Sequence, residues 1–479
     1  RAAAGPAADM GEETAVKGMR PVSEDTIAAI STPPGEGGIG IVRLSGPDAI
    51  AIAGRVFISS SGRDPRMGSG RVFHGEVKDN GLVLDEVLLH VMRAPHSYTC
   101  EDVVEINCHG GAGPVNAVLE LMLREGARLA GPGEFTKRAF LNGRIDLPQA
   151  EAVIDRIRAQ TSAGLRAASA SARGALSVEI GAMKDTLVEL KAIIESAIDF
   201  ADQELPELIT PELHARVTDA LDRMKSMLAA ADAGRVYREG ASVAIVGRPN
   251  VGKSTLFNAL LRESRAIVTG QAGTTRDVLH EIVTIKGIPV RLTDTAGLRE
   301  TSDEVESLGV AAARQALEEA AAILFVMDTS DRDISEDRKI AKQISTTETP
   351  CLIVANKIDL MGQSRQDYFA ELSLKVVDTI WVSAKTGKNL DRLEEALGNL
   401  LLGGVEFAPD QGHINRIHQK DSLRRAADAL GRLLADMERS PELLAFELDE
   451  ALRALGEITG ETTPDDVLDR IFSAFCIGK

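Results

Sequence analysis

The sequence is poor in cysteine and in aromatic residues, and both shortages limit the kind of protein it can encode. Its 479 residues include four cysteines (Cys100, Cys108, Cys351 and Cys476), and none of them forms a CxxC pair. A disulfide framework is therefore not expected, which agrees with a reducing cytoplasm. Because aromatic residues make up 3% of the chain, its cores must depend on Leu, Ile, Val and Ala.

Long apolar runs and an excess of positive charge are also missing. No run approaches the ~18 residues of a membrane span, so we expect no membrane segment. The formal net charge is −18, so a polyanion such as RNA would need a local basic surface or the help of a partner. Residues 1–20 mix acidic with small residues and lack an apolar signal core, and we interpret them as a tag or a processed leader.

The length predicts several domains, and the first part of the chain shows two patterns. Residues 21–140 alternate short apolar runs, such as EDVVEINCHGG, with Gly and Pro turns, which predicts an α+β domain. Residues 141–235 have apolar side chains at helical spacing and form the first half of a predicted helical domain. Within them, Thr210 before Pro211 predicts a capped helix start.

The second part of the chain predicts a parallel sheet followed by helices. Residues 236–402 contain the runs SVAIVG, VRLTDT, AAILFVMD, PCLIVANK and TIWVSAK, separated by segments of helical length, with a hairpin expected near Gly287. Residues 403–479 are again helical in pattern. The simplest architecture is a multidomain α/β chain in which the α/β unit is inserted between the two halves of a helical domain.

One loop carries a pattern typical of phosphate binding. GRPNVGKST at residues 247–255 matches G-x-x-x-x-G-K-[ST] between a predicted strand and a predicted helix. Backbone amides of such a loop, together with the helix N-terminus, hold phosphate oxygens. Lys253 would reach the β- and γ-phosphates, and Ser254 would ligate magnesium.

Three further motifs identify the nucleotide as GTP. DTAG (294–297) follows a strand and is expected to face magnesium and the γ-phosphate, and SAK (383–385) adds a backbone contact to the base. In NKID (356–359), Asp359 can accept hydrogen bonds from the ring NH and the 2-amino group of guanine. Adenine lacks those donors and would leave buried polar groups unpaired. The order of the motifs is that of a GTPase.

The segment before DTAG and the residue after it bear on hydrolysis. In TGQAGTTRD (269–277), either Thr274 or Thr275 is expected to sense the γ-phosphate through magnesium. Leu298 stands where small signalling GTPases have glutamine, so the attacking water must be positioned by another group. The predicted GTP-binding residues are Asn250, Val251, Gly252, Lys253, Ser254, Thr255, Thr269, Gly270, Gln271, Ala272, Gly273, Thr274, Thr275, Asp294, Thr295, Ala296, Gly297, Asn356, Lys357, Asp359, Ser383, Ala384 and Lys385.

From about Asp25 to Lys479 the chain resembles the bacterial tRNA-modification GTPase family MnmE, also called TrmE. The motifs that carry the resemblance are GRPNVGKSTLFNAL, GTTRD, DTAGLRETSDEVE, TPPGEGGIGIVRLSG, GEFTKRAFLNGRIDLPQAEAV and the terminal CIGK. The resemblance implies an N-terminal folate-binding domain, a helical domain, and a Ras-like, doubly wound G domain inserted into the helices.

The resemblance also implies an activity and its partners. Such a protein is a cytoplasmic, potassium-dependent GTPase and a homodimer. Together with MnmG, a flavoprotein that uses FAD and NADH, it forms a heterotetramer or a larger complex. The complex modifies the 5-position of the wobble uridine in tRNA. The cofactor is a one-carbon folate, either 5,10-methylenetetrahydrofolate or 5-formyltetrahydrofolate.

The resemblance also implies ion ligands and a catalytic residue, at the positions of this chain that match the family's motifs. Magnesium is assigned to Ser254 and Thr275. The potassium ion, which takes the place of an arginine finger, is assigned to Asn250, Thr269, Gln271 and Thr274. Glu306 matches the residue that orients the attacking water, although the acidic segment around it would equally suit a solvated charge.

The matching positions for folate are Arg43, Glu105, Arg144 and Lys479. Glu105 can accept from the amino and ring NH groups of the pterin, and the cations suit carboxylate or formyl oxygens. Each arginine could also be an ordinary surface residue, and some relatives have lysine at position 144. Cys476 is a candidate for the one-carbon site or a small core residue.

Two other functions remain open to a chain with these motifs. A ribosome-assembly or RNA-docking GTPase switch would share the loops, but it usually carries a second G domain or an RNA-binding module. A folate-sensing scaffold would not need the complete nucleotide motif set. The terminal CIGK favours the modification enzyme.

Overall fold

In the computed structural model of the chain, the described part comprises residues 24–199, 210–263, 281–294, 317–331, 333–361, 374–435 and 440–479, with residues 372 and 437. Among the helices in these ranges, none is both long enough and apolar enough to cross a lipid bilayer.

The strands and helices within the described ranges are numbered in chain order. The strands are β1 Ile27–Ile30, β2 Gly37–Ser45, β3 Phe57–Ser59, β4 Arg71–Asp79, β5 Leu82–Met92, β6 Val103–Gly110, β7 Arg128–Leu129, β8 Ala241–Val246, β9 Glu281–Ile285, β10 Ile288–Asp294, β11 Ala322–Asp328, β12 Cys351–Asn356 and β13 Asp378–Trp381. The α-helices are α1 Ala49–Val56, α2 Ala112–Arg124, α3 Glu134–Leu141, α4 Leu147–Arg158, α5 Ser162–Ala172, α6 Ala175–Asp199, α7 Pro211–Glu239, α8 Lys253–Glu263, α9 Ser335–Ile344, α10 Leu390–Leu401, α11 Ile417–Ala435, α12 Pro441–Thr459 and α13 Asp465–Ser473.

The chain divides into two compact units, the first containing residues 1–151 and 463–479. Its sheet has the strand order β3-β4-β5-β6-β2-β1-β7. Because side chains alternate along a strand, Val42 and Leu44 enter a core shared with α1 and α2, while Arg43 lies on the opposite face. That opposite face of β2 and β6 carries the charged side chains discussed below.

The end of the chain packs within this first unit. Phe472 of α13 is buried, with its ring 6.2 Å from that of Phe140 and 5.5 Å from that of Phe475. Beyond the helix, Ile477 forms an antiparallel bridge with Pro132. By their contacts, residues 463–479 group with the N-terminal unit. The sequence pattern assigns residues 403–479 to the helical domain, and that assignment stays a prediction.

The second unit, residues 152–462, contains a six-stranded sheet with the order β13-β12-β11-β8-β10-β9. Its strands are parallel except for the β9–β10 pair. The hairpin predicted near Gly287 is confirmed, since Ile285 pairs with Ile288. β11 and β12 are buried almost throughout, as expected of central strands covered on both faces. This is the doubly wound order expected for the G domain.

Four long helices of the second unit, α6, α7, α11 and α12, share one apolar core. The predicted start of α7 is confirmed, because the Thr210 hydroxyl accepts from the Leu213 amide at 3.2 Å. Such caps stabilise a helix by about 1 kcal/mol. The remaining sequence-based boundaries, at residues 20/21, 140/141, 235/236 and 402/403, stay predictions.

Candidate functional sites

The phosphate loop lies between β8 and α8, as its sequence predicts. A Cβ on Gly252, whose φ is +99°, would lie 2.4 Å from the Asn356 side-chain nitrogen, so only glycine fits there. The Lys253 ammonium donates to the carbonyl oxygens of Gly247 and Arg248, each at 2.8 Å. The side chain of Lys253 therefore lies across the loop whose backbone amides would bind the phosphates.

The candidate potassium ligand Asn250 lies on this loop, and the candidate magnesium ligand Ser254 lies where the loop enters α8. Asn250 is exposed and has a φ of +65°, and Ser254 and Thr255 are exposed in the first turn of α8. Asp294 ends β10 opposite Ile245 of β8, which places its backbone beside the strand that leads into the loop. The side chain of Asp294 lies outside the described part.

One buried amide joins the phosphate loop to the base-reading segments. Asn356 is 2% exposed; its nitrogen donates to the Val251 carbonyl at 2.8 Å, and its oxygen accepts from the Ala384 amide at 2.9 Å. Lys357 donates to the Asn250 carbonyl at 2.7 Å and to Asp328 at 2.6 Å. The NKID motif therefore holds the phosphate loop in place.

Asp359 is exposed at the position expected to meet the base. Its carboxylate accepts a 2.6 Å hydrogen bond from the hydroxyl of Ser383, which is fully buried. That bond holds the pKa of Asp359 below its ordinary value. The ionised carboxylate can then act only as an acceptor, as guanine recognition requires. Lys385 follows Ala384 and is exposed.

Several residues of the predicted sites lie outside the described ranges. They are Thr269, Gly270, Gln271, Ala272, Gly273, Thr274, Thr275, Thr295, Ala296, Gly297 and Glu306.

A buried carboxylate, Asp337, lies behind the phosphate loop and is not predicted from the sequence. Arg248 lies 3.2 Å from Asp337 and 2.8 Å from Asp331. Asp337 is 1% exposed, and burial raises its pKa to about 6, against the opposing effect of Arg248. In the segment SEDRKIAKQI, this aspartate reads as an ordinary first-turn residue of a helix. Only the packing of α9 reveals that it is buried.

In the first unit, the structure places Arg43 and Glu105 directly opposite each other on β2 and β6. Two guanidinium nitrogens of Arg43 lie 2.8 and 2.7 Å from the same carboxylate oxygen, and the side chains are 15% and 20% exposed. The other oxygen of Glu105 has no hydrogen-bond partner among the described residues. That oxygen is suited to accept from a ligand.

The chain terminus lies against this pair. The Gly478 carbonyl accepts from Arg43 at 3.3 Å and from Ser31 at 3.2 Å. Gly478 has a φ of +90°, and a Cβ there would lie 2.2 Å from the Ile30 carbonyl oxygen, so glycine is required for this approach. Burial, and then the charge of Arg43, lower the pKa of Lys479. Arg43, Glu105 and Lys479 therefore form one cluster.

Two aromatic rings border the cluster. The Arg43 guanidinium lies 5.8 Å from the centre of the Tyr98 ring and 5.6 Å from that of Phe135, and Arg144 lies 4.9 Å from Tyr98. Neither ring is predicted from the sequence. Tyrosine is rare in this chain, which has three, and the tyrosine of the SYTCEDV segment was the signal that could have pointed to this site.

Cys476 precedes this terminus and is exposed, with a free thiol. Its carbonyl oxygen accepts from the amide of Gly133 at 3.3 Å. The interpretation as a buried core residue is therefore wrong. The structure gives the thiol no hydrogen-bond partner among the described residues, and its candidacy for the one-carbon site stays a prediction.

Two family models match the chain. One, described as the MnmE helical domain, matches residues 147–476, and the other, described as the N-terminus of the GTP-binding protein TrmE, matches residues 26–144. The tRNA modification GTPase MnmE of Chloroflexus aurantiacus is 49% identical over 460 residues, or 95% of this chain and 100% of that protein. The same-named protein of Carboxydothermus hydrogenoformans is 46% identical over 463 residues, with the same coverage.

Among solved structures, a variant of Aquifex aeolicus Era bound to GDP and AlF4− is 28% identical to the part of this chain that it matches. It covers 40% of this chain and 66% of its own, with a TM-score of 0.28.

Proposed function

Because the chain belongs to the MnmE family of tRNA-modification GTPases, we propose that it couples GTP hydrolysis to modification of the 5-position of the tRNA wobble uridine, with a one-carbon folate as donor. The observation that carries the proposal is the presence of two separate clusters in one chain. Asn356 ties the phosphate loop to the base-reading segments in the second unit, and the first unit holds Arg43 and Glu105 against the chain terminus.

The nucleotide binds across the loop that follows β8. Loop amides and Lys253 hold the phosphates, Asp359 accepts from guanine, and the SAK segment (383–385) adds a backbone contact to the base. Ser254 is exposed at the start of α8, where a hydroxyl can reach magnesium beside the phosphates, and Thr275 is its proposed companion. Magnesium would neutralise phosphate charge there.

Hydrolysis requires a cation to meet the charge that develops on the γ-phosphate in the transition state. Because this chain has Leu298 where small signalling GTPases have glutamine, another group must position the attacking water. We assign potassium to Asn250, whose side chain is exposed on the phosphate loop, with Thr269, Gln271 and Thr274 completing the cage. Glu306 orients the attacking water. The G domains of a homodimer meet face to face to close this arrangement.

The folate site is the cluster in the first unit. Glu105 offers an acceptor to the amino and ring NH groups of a pterin, and the neighbouring ring of Tyr98 offers a stacking surface. The cations Arg43, Arg144 and Lys479 suit carboxylate or formyl oxygens. Cys476 lies two residues before Gly478 and is the proposed neighbour of the one-carbon group. Bound 5,10-methylenetetrahydrofolate would supply the methylene carbon.

The partners proposed are tRNA, a second copy of the chain, and the flavoprotein MnmG with its FAD and NADH, acting together in the cytoplasm. The proposed domain limits are those predicted from sequence, with residues 463–479 packed on the N-terminal unit.

GTP turnover at equal ionic strength in KCl and in NaCl, with and without MnmG, tests the proposal. Turnover should require potassium and should rise when MnmG is present. Equal turnover in both salts would contradict the potassium assignment. An absence of any effect of MnmG would contradict the partnership.

A further inference from the structure

An aspartate that belongs to none of the nucleotide motifs ends the strand beside the base-reading segment. Asp328 is the last residue of β11 and lies opposite Asn356, the last residue of β12. β11 lies between β12 and β8, the strand that leads into the phosphate loop. Because these strands are parallel, Asp328 lies at the carboxyl edge of the sheet, where such sheets bind their ligands.

The carboxylate of Asp328 has a fixed orientation. Its Oδ1 atom accepts from the amide of Ser330 at 2.9 Å and from the hydroxyl of Ser330 at 2.6 Å. Its Oδ2 atom accepts from the ammonium of Lys357 at 2.6 Å. Against the effect of burial, the hydrogen bonds from Lys357 and Ser330 hold the pKa of Asp328 below its ordinary value. The pair is therefore charged at neutral pH.

Lys357 extends this contact to the phosphate loop. Its ammonium also donates to the carbonyl oxygen of Asn250 at 2.7 Å. Asn250 has a φ of +65°, a left-handed conformation that is uncommon for residues other than glycine. Such a conformation persists where the surrounding contacts hold it. The bond from Lys357 is one of these contacts, and Asp328 fixes the position of its donor.

The ion pair of Asp328 and Lys357 is shielded from solvent. The two side chains are 11% and 29% exposed, so salt screens their attraction less than that of a surface pair. Loss of the aspartate would leave the ammonium partly buried without its counter-charge, which is unfavourable. The position of Lys357 therefore depends on Asp328.

The residue after Asp328 binds the same strand end. Both the amide and the hydroxyl of Thr329 donate to the carbonyl oxygen of Asn356, at 3.0 and 2.7 Å. Asn356 is the residue whose side chain joins the phosphate loop to SAK. The end of β11 thus supports the base-reading strand as well as the phosphate loop.

The first part of the phosphate loop is held by the same segment, residues 328–337. Arg248 lies 2.8 Å from Asp331 and 3.2 Å from Asp337. Carboxylates of this one segment therefore hold the loop at two places, directly at Arg248 and through Lys357 at Asn250.

We propose that Asp328 is a positioning residue of the nucleotide site. It acts through Lys357, whose ammonium it holds against the Asn250 carbonyl, and so keeps the phosphate loop in the conformation that binds nucleotide. The inference rests on the proposed nucleotide site and adds a residue to it. Because the tether ends on a backbone carbonyl of the loop, retention of GDP and of GTP should depend on it to a similar extent.

A double-variant cycle in the full chain tests this role. Asp328→Asn, Lys357→Met and their combination are compared with the parent. Release of GDP and of GTP, each labelled on the ribose with a methylanthraniloyl fluorophore, is followed by stopped flow after addition of excess unlabelled GDP. Asp232→Asn is the matched control, because Asp232 pairs with Lys420 at 2.8 Å on the helices α7 and α11 rather than at the sheet edge.

Asp328→Asn should release both nucleotides at least about tenfold faster, since a charge-assisted hydrogen bond is lost. In the Lys357→Met background the same change should alter the rate by less than about twofold, because no ammonium remains to be positioned. The control should match the parent. Equal effects of Asp328→Asn in both backgrounds would overturn the inference, as would unchanged or slower release from the single variant.

Ser330→Ala provides a milder second variant. It keeps the charge of Asp328 but removes the exposed hydroxyl that orients the carboxylate, so folding should not depend on it. Release should become about threefold faster, and this increase should disappear in the Lys357→Met background. Parental release rates from Ser330→Ala would contradict the inference even if Asp328→Asn failed to fold.

Thermal unfolding without nucleotide separates positioning from a purely structural role. A lower melting temperature of Asp328→Asn, combined with parental release rates from the folded protein, would make the residue structural and overturn the inference. A parent that retains neither nucleotide would contradict the proposed nucleotide site itself. A parent that retains both, with Asp328→Asn unchanged, would overturn the inference alone.

Discussion

The side-chain nitrogen of Asn356 donates to the carbonyl oxygen of Val251 at 2.8 Å, which links the end of β12 to the phosphate loop. The oxygen of the same amide accepts from Ala384. Both partners are buried, so removal of the amide would leave two backbone groups unsatisfied at about 1–3 kcal/mol each. Asn356 therefore couples the base-reading segments to the geometry of the phosphate loop.

Base specificity should change when Asp359 becomes asparagine. Asp359→Asn exchanges an acceptor oxygen for a donor, which opposes the guanine NH groups and suits xanthine. We expect GTP binding to weaken by about 2–4 kcal/mol and binding of xanthosine triphosphate to strengthen. Competition binding with both nucleotides measures this, and Glu395→Gln, an exposed change on α10, is the control. Unchanged GTP affinity would show that NKID does not read the base.

Potassium binding and water positioning should separate in two variants. Asn250→Ala should lose the response to potassium but keep nucleotide binding, because the loop amides and Lys253 remain. Glu306→Ala should keep potassium-dependent association of the G domains and lose turnover. Turnover and light scattering in KCl and NaCl measure the two effects. Normal hydrolysis by Glu306→Ala would contradict its assigned role.

Folate binding should depend on Glu105. Glu105→Ala removes the proposed acceptor and also leaves Arg43 without its partner, so 5-formyltetrahydrofolate should bind more than about tenfold more weakly. Calorimetry gives the affinity, and GTP affinity should be unchanged because that site lies in the other unit. Glu86→Ala, which removes an exposed carboxylate of β5, is the control. Equal folate binding by Glu105→Ala and the parent would remove Glu105 from the site.

The raised pKa of Asp337 predicts a pH dependence of stability. Its folded state binds the proton more tightly than the unfolded chain does, so this contribution is present at low pH. It is lost as pH rises from about 4 to about 6. Asp337→Asn does not titrate, so the difference in unfolding free energy between parent and variant should change by about 3 kcal/mol across that range. Arg248 keeps its second carboxylate partner, Asp331 at 2.8 Å, in this variant.

Fluorescence of Trp381, the single tryptophan of the chain, reports urea unfolding for this comparison. Glu336→Gln removes an exposed carboxylate from the same helix and serves as the control. A constant difference between parent and Asp337→Asn from pH 4 to 6 would contradict the prediction.

Sequence patterns predicted the elements that depend on interactions between residues close together in the chain. The apolar runs of β11 and β12, the turn at Gly287 and the cap at Thr210 each depend on neighbouring residues, and each is confirmed. The packing of residues 463–479 on the N-terminal unit was not predicted. Their apolar spacing predicts a helix, but it does not predict against which part of the protein that helix packs.

The candidate sites likewise contain some residues that short motifs predict and others that only tertiary packing brings together. NKID and the phosphate loop are short motifs whose spacing is visible in the sequence. Asp337 behind Arg248, and Tyr98 beside Arg43, come from distant parts of the chain and meet only through tertiary packing. A single sequence contains no direct record of such contacts.

The most direct test of the proposed function follows the one-carbon unit into tRNA. Unmodified tRNA is incubated with the protein, MnmG, GTP, KCl, FAD, NADH, an amine co-substrate (glycine in one reaction, ammonium in another) and methylenetetrahydrofolate labelled with carbon-13 at the methylene, and the wobble nucleoside is analysed by mass spectrometry. We predict one labelled carbon on the 5-position of the uridine, lost when GTP is omitted, when sodium replaces potassium, or when Glu105 is replaced by alanine. An unlabelled modification, or labelling that persists without GTP, would contradict the account.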